Sequence, residues 1–287
     1  MIAKGLVFAV LIIFLSIIKP IVYRPVAQNY KLAFSSLFTS VWTGVFIILS
    51  FPFMKDSFFD ALPAIMASPV LILYAASKGI VSWYSIKVSQ AVNRQSTSAV
   101  VFFPFISLAL ASFLLNVFLG ESLNLLQLST ILLLGALGLG FWFFGIVRKL
   151  SADWKKCFLA AIILNALCPV IDHISIRQMG WYAYFIVSNF TTFVFCLCQG
   201  ASLSDIKKSF TSPDVFKAGF FNTLREIVVL SASVTILPVS LVNFCIRLSA
   251  PIVMVFSAIK YKESTVKNQL IFGILALLAA VPIILFK

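Results

Sequence analysis

Long apolar runs separated by short polar segments restrict most strongly what this chain can fold into. We read ten runs, at about 2–24, 30–53, 68–92, 95–119, 124–147, 156–178, 181–199, 216–236, 239–260 and 267–286. A helix needs about 20 apolar residues to cross a bilayer, and it pairs its own backbone groups in lipid. The runs lack the short alternating pattern of a membrane barrel. They predict an all-α integral membrane protein with ten transmembrane helices.

Composition excludes several other classes of protein. The 287 residues are 61% hydrophobic and 11% charged, whereas soluble domains carry about 25% charged residues. A soluble enzyme and a disordered chain are therefore excluded. The net charge of +13 does not indicate nucleic-acid binding, because the basic residues lie mostly between apolar runs, where they anchor helix ends in membrane lipid. The five cysteines have no partners in a zinc-like pattern, so we expect no metal and no cofactor.

The polar interruptions divide the chain and give a first orientation. Residues 54–68 predict an interfacial loop, and residues 200–215 an exposed one. The basic segment 148–156 separates two halves, 1–150 and 151–287, of five runs each. About 15 basic residues fall on one side of the predicted membrane and about 4 on the other. The positive-inside rule then places both termini outside the cytoplasm.

The two halves share a motif. A Glu-Ser pair is followed by glutamine six residues after the glutamate, as Glu121 with Gln127 and as Glu263 with Gln269. Each motif precedes the last apolar run of its half, so the glutamates are expected to cap helix starts. Since each half has an odd number of spans, the second must enter the membrane from the opposite side. That is an inverted repeat, a plan typical of secondary transporters.

Residues 84–139 run from YSIKVSQAVNRQ through a proline to a Gly-Glu turn at 120–121 and then to Gln127 before a glycine-rich helix. This stretch resembles the repeat unit of the drug/metabolite transporter superfamily, EamA-like branch. Residues 231–284 are similar, with Tyr261-Lys262-Glu263 in place of Leu-Gly-Glu. The resemblance implies secondary transport of small polar metabolites. It also implies cytoplasmic termini, so the orientation stays open between the two arguments.

Ionisable residues inside apolar runs are costly and mark functional candidates. Lys78, Arg225 and Arg247 are expected to bind an anionic group of the substrate. Alignment of Pro104 with Pro251 places Lys78 opposite Arg225, whereas alignment of Glu121 with Glu263 does not. The alternative is that Lys78 and Arg225 pair with Glu226 and Asp172 inside the protein, or extend to the membrane interface. The other candidates for substrate binding are Tyr74, Trp83, Tyr84 and Asn243, and the candidates for proton coupling are Asp172, His173 and Glu226.

These features predict a transporter that works by alternating access without ATP, in a bacterial inner membrane. Its partners would be membrane lipid, a small-molecule substrate and, in a coupled mechanism, H⁺; the protein would be a monomer or a homodimer. The substrate would be an amino acid, a zwitterion like S-adenosylmethionine or an organic anion. The alternatives are a drug-efflux pump and a non-transporting scaffold or receptor. The chain has no HExxH, G-x-S-x-G or P-loop motif, so we do not expect an enzyme.

Overall fold

The computed structural model describes residues 2–97, 124–144, 152–237 and 239–262, together with isolated residues at 100, 101, 107, 110, 111, 114, 117, 271, 274, 275 and 278. All regular secondary structure in these ranges is helical, which confirms the predicted all-α fold for this part of the chain. The spans predicted at 95–119 and 267–286 lie almost entirely outside it. So do Pro104, Glu121, Glu263 and Gln269, and the side chains of Gln127 and Asn243.

Eight α-helices are present among the described residues, and most follow the predicted runs to within a few positions. A 3₁₀ turn at Leu32–Phe34 separates the first two. The helices are α1 (Ile2–Asn29), α2 (Ser35–Ala67), α3 (Val70–Gln95), α4 (Leu125–Phe144), α5 (Ala152–Cys198), α6 (Leu203–Thr211), α7 (Pro213–Thr235) and α8 (Val239–Tyr261).

Helix α5 reverses direction at Gly180, which has a non-helical conformation with φ 72° and ψ 155°. The Tyr184 hydroxyl donates a hydrogen bond to the Asp172 carboxylate. On a straight helix these residues would be about 18 Å apart, so the chain must fold back between them. Residues 152–179 and 181–198 are therefore two helices that lie side by side, in agreement with the predicted spans 156–178 and 181–199.

The predicted interfacial loop at 54–68 is wrong, because α2 continues through this segment to Ala67. Ala61 is buried, and Phe58 and Ile65 pack with it against the start of α3 and the turn at Gly180. These residues recur on one face of the helix, while Lys55 and Asp60 are exposed. The alternation of charged and apolar residues marks an amphipathic helix here and not a loop.

The predicted loop at 200–215 is also wrong over most of its length, because α6 forms at Leu203–Thr211 and α7 begins at Pro213. A capping box starts α6: Ser202 caps the helix, and the Asp205 carboxylate accepts a hydrogen bond of 3.1 Å from the Ser202 backbone N–H. Proline is well suited to the first position of a helix, which explains the start of α7.

The long helices pack around a common centre. Helix α3 lies against both parts of α5, α1 against α7 and α8, and α2 against α5 and α7. Two glycines allow close approach. A methyl group at Gly79 would lie 2.5 Å from the backbone oxygen of Ser188, and one at Gly219 would lie 2.6 Å from that of Phe38.

Three helical stretches in the described ranges are long and apolar enough to cross a membrane: Lys4–Asn29, Leu32–Ala67 and Ile162–Cys198. On α1, large apolar side chains are exposed at four-residue spacing, with Leu6 at 65%, Val10 at 57% and Phe14 at 55%. A face of this kind is unusual on a soluble monomer.

Candidate functional site

A cavity of about 280 Å³ lies between α1, α2, α3, both parts of α5, α7 and α8. Most of its lining side chains carry a hydroxyl, an amide or a charge, although the surrounding helices are largely apolar. The charged ones are Lys19, Lys78, Asp172, Arg225, Glu226 and Arg247. Polar groups inside apolar helices characteristically face such a cavity or one another.

Lys78 and Asp172 form an ion pair on one side of this cavity. The Lys78 Nζ lies 2.9 Å from both carboxylate oxygens of Asp172, and each side chain is 16% exposed. The Tyr184 hydroxyl donates to the same carboxylate. The sequence alternative in which Lys78 pairs inside the protein is therefore confirmed. We call Lys78, Asp172 and Tyr184 the paired triad.

Arg225 and Glu226 lie next to each other on α7, on the side of the cavity that faces α1. The Arg225 Nη1 lies 2.6 Å from the Glu226 Oε1, and its Nε donates to the Ser16 hydroxyl at 3.1 Å. The Lys19 Nζ is 3.9 Å from the same Glu226 oxygen. One carboxylate oxygen is therefore shared by two cations from two helices.

Arg247 on α8 has weaker contacts. Its Nη2 lies 3.5 Å from the Ser107 hydroxyl, which is long for a hydrogen bond. Its Nε is buried and has no hydrogen-bond partner among the residues that the structure describes. A buried donor left in this state is costly, on the order of 1–3 kcal/mol.

The aromatic residues predicted to bind substrate do not line the cavity. Trp83 is buried elsewhere, where its Nε1 donates to the Ala33 carbonyl at 3.1 Å. Tyr84 packs against the same cluster, and Tyr74 is 39% exposed. His173, next to Asp172, is half-buried and is also absent from the lining. Of the sequence-predicted residues, the cavity gathers Lys78, Asp172, Arg225, Glu226 and Arg247.

Two lining residues carry no signal in the sequence that separates them from their neighbours. Lys19 lies toward the end of the predicted run 2–24, where it reads as one more anchoring cation, but α1 continues to Asn29. Tyr184 reads as one more aromatic residue of an apolar run, and only the reversal at Gly180 brings it to Asp172. Within the described ranges, no group of three or more His, Cys, Asp or Glu side chains could hold a metal ion.

No protein-family model matches this chain, and no curated protein sequence matches it significantly.

Proposed function

We propose that this protein is an integral membrane secondary transporter that moves a small polar metabolite with an anionic group by alternating access. It would work in a bacterial inner membrane, as two inverted five-helix halves, 1–150 and 151–287. One observation carries the proposal: a cavity lined by charged and hydroxyl side chains lies at the centre of a bundle of long apolar helices. A scaffold needs no such cavity, whereas a carrier must replace the water around its substrate.

Two close helix contacts support the inverted repeat. Gly79 on α3 meets the second part of α5 at Ser188, and Gly219 on α7 meets α2 at Phe38. In a five-plus-five repeat α3 corresponds to α7, and α2 corresponds to the second part of α5. The two contacts are then the same contact with the halves exchanged, as pseudo-two-fold symmetry requires.

A pair of hydrogen bonds supports the alignment of the two halves that matches Gly79 with Gly219. Asn165, in the first part of α5, donates to Ser85 on α3 at 2.9 Å, and Arg225 on α7 donates to Ser16 on α1 at 3.1 Å. The step from Ser85 to Arg225 is 140 residues, the same as from Gly79 to Gly219. In this register Arg225 corresponds to Ser85. The contacts thus favour a different alignment from the one that places Lys78 opposite Arg225.

The charges of the cavity support an anionic substrate group. Four cations and two carboxylates line it among the described residues, and guanidinium groups bind carboxylate and phosphate well. A cavity of about 280 Å³ is at the small end of known ligand pockets, which are about 300–1,000 Å³. An amino acid, a compact zwitterion or a small organic anion fits this size. If transport is coupled to protons, Asp172 and Glu226 are the carboxylates in position to carry them.

The test is uptake into sealed liposomes that contain the purified protein. We would offer radiolabelled amino acids, organic acids, sugar phosphates, S-adenosylmethionine and a lipophilic cation. We expect saturable uptake of at least one anionic or zwitterionic metabolite, and loss of that uptake in Arg225→Gln. Arg177→Gln is the matched control, because Arg177 is exposed and does not line the cavity.

Three outcomes would contradict the proposal. Uptake by Arg225→Gln with wild-type kinetics would remove Arg225 from the substrate site. Movement of the lipophilic cation alone would favour drug efflux. Absence of uptake for the whole panel, with folded and inserted protein, would favour a scaffold or receptor.

A further inference from the structure

The six charged side chains of the cavity divide into two groups by their contacts. In the paired triad, the positive charge of Lys78 is matched by Asp172, which also accepts the Tyr184 hydrogen bond. The other group consists of Lys19, Arg225, Glu226 and Arg247, which we call the cationic cluster. With all four side chains ionised it holds three positive charges and one negative charge, a formal excess of two positive charges.

The cationic cluster is assembled from three packed helices. Lys19 comes from α1, Arg225 and Glu226 from α7, and Arg247 from α8, and α1 contacts both of the other helices. A ligand seated here would touch all three helices at once. The side chains of Arg225 and Lys19 are already oriented by the shared Glu226 oxygen, at 2.6 Å and 3.9 Å, so little additional ordering is required of them.

Arg247 brings a buried, unsatisfied hydrogen-bond donor to the cluster. Its Nε is buried without a partner in the described part of the chain, and its Nη2 lies 3.5 Å from the Ser107 hydroxyl. Buried polar groups are nearly always satisfied, and an orphan that lines a cavity is a donor in place for a ligand. The Nε and Nη2 of a guanidinium form a fork that suits two oxygens of one carboxylate or phosphate.

We propose that the cationic cluster is the substrate's anion-binding subsite, that Arg247 is its principal ligand, and that the group it takes is doubly charged, as in a dicarboxylate or a phosphate monoester. The inference deepens the proposed transport function and rests on it. A dianion neutralises the two excess charges. A monoanion neutralises only one of them, and a zwitterion, which has no net charge, neutralises neither. The paired triad contributes no excess charge, which assigns Lys78 no part in binding the anion.

The test compares dianions with less charged ligands on the purified full-length protein. Thermal stability in detergent would be measured against succinate and against inorganic phosphate at pH 8, with acetate and glycine at equal concentration and ionic strength. A ligand that binds only the folded state raises the midpoint as its concentration passes its Kd. We expect a concentration-dependent rise with one or both dianions, and a much smaller one with acetate or glycine. Whether succinate or phosphate acts decides between the two chemistries.

Variants then locate the subsite. In Arg247→Gln, loss of a charged hydrogen bond should weaken dianion affinity roughly 10- to 100-fold. Arg247→Lys keeps the charge but loses the two-pronged guanidinium, so its dianion affinity should lie between those of the wild type and Arg247→Gln. Arg177→Gln should bind as the wild type does. If Arg247→Gln does not fold, the wild-type comparison and Arg247→Lys still test the assignment.

The outcomes separate this inference from the transport proposal. Equal stabilisation by acetate and succinate, or undiminished dianion binding by Arg247→Gln, overturns the dianion subsite. Liposome uptake of zwitterions without uptake of dianions also overturns the dianion subsite, but it supports the transport function. Absence of uptake for every metabolite, together with dianion binding that requires Arg247, overturns the transport function and leaves the subsite.

Discussion

Asp172 is the residue that allows Lys78 to lie inside the bundle. Its two oxygens take the ammonium at 2.9 Å each, and it is reached from the other part of α5 by Tyr184. A buried pair of this kind contributes little relative to an apolar pair, but a single unpaired charge left behind is expensive. The stabilising role of Asp172 therefore depends on Lys78 being present.

We expect Asp172→Asn to lower the free energy of unfolding by up to about 3–5 kcal/mol, because it leaves the Lys78 charge uncompensated. The double variant Lys78→Met with Asp172→Asn should recover most of that loss. Denaturant unfolding in detergent, arranged as a double-mutant cycle, measures both values. A single variant as stable as the wild type would show that the pair is not formed in solution.

The sequence identifies these charged residues but not their partners. Lys78, Arg225 and Arg247 stand out because a charge inside an apolar run is costly unless it faces a cavity or a partner. Which carboxylate each one meets depends on how the helices fold back and cross. Asp172 and Lys78 are 94 residues apart, and nothing local specifies that contact. The aromatic residues near Lys78 in sequence were poor guides to the cavity for the same reason, since Trp83 points to a different neighbour.

At the scale of helices, two glycines determine how closely neighbours approach. Gly79 fits against the α5 backbone, where the Thr192 hydroxyl also donates to the Gly79 carbonyl at 3.0 Å. Gly219 fits against the α2 backbone and the Trp42 ring. Small residues at such crossings permit backbone contact between membrane helices.

We expect Gly79→Ala and Gly219→Ala each to destabilise the protein by about 1–3 kcal/mol, since the added methyl group meets backbone atoms that cannot rotate away. Gly44→Ala is the matched control, because a methyl group there has no atom within 4 Å. It should be neutral or stabilising by up to about 1 kcal/mol through its helix propensity. Thermal unfolding of the three variants side by side checks this. Equal midpoints for Gly79→Ala and Gly44→Ala would contradict the close crossing.

Helix α6 depends on an electrostatic cap. The Asp205 carboxylate accepts hydrogen bonds from Lys208 at 2.7 Å and from the Ser202 hydroxyl and N–H. The Lys208 bond first, and then those from Ser202, lower the pKa of Asp205 to about 2. Because this lies below the unfolded value of about 3.9, its stabilisation is complete above pH 4 and is lost as the pH falls to 2.

Pepsin cleavage within residues 203–211 would report this stabilisation. At pH 4 we expect Asp205→Ala to be cut several-fold faster than the wild type, in line with a cap of about 1 kcal/mol. The difference should shrink as the pH falls to 2, while Lys207→Ala, which keeps the cap, follows the wild type. A difference that does not change with pH would exclude the carboxylate charge as its cause.

Helix positions were largely readable from the apolar runs, and both errors had one cause. Residues 54–67 and 203–211 are helical but mix charged and apolar residues, and polarity considered alone predicts a loop in both segments. Two signals favour a helix in these segments. Ala61 and Ile65 are four residues apart, on one face of a helix, and Ser202 with Asp205 forms the pattern of a capping box.

For the whole molecule, the distribution of charge gives an orientation that can be measured. The Arg24 guanidinium lies 3.9 Å from the centre of the Tyr261 ring, so the ends of α1 and α8 meet. Tyr30 and Ser212 hydrogen-bond at 2.9 Å, which brings the start of α7 to the same end. These contacts place Arg24 and Lys260 at one end of the bundle, and the positive-inside rule predicts that this end faces the cytoplasm.

Cys198 provides a natural label for this end, because it is exposed where α5 leads into α6, whereas Cys168, Cys196 and Cys245 are buried. In a Cys157→Ser background, we expect an impermeant maleimide to label Cys198 in inside-out vesicles and not in intact cells. Cys198→Ser should abolish the labelling. Labelling from outside would reverse the orientation and agree instead with the cytoplasmic termini that the superfamily resemblance implies.

Gly180 offers a different kind of consequence. A side chain added there would meet no atom within 4 Å, yet its φ of 72° with ψ 155° belongs to a region that only glycine occupies readily. In a mutational scan scored by surviving protein, we expect nearly every missense change at codon 180 to be depleted, including alanine. The exposed neighbours Arg177 and Gln178 should tolerate most changes. Space for a side chain and a backbone conformation that accepts one are separate requirements, and position 180 meets only the first.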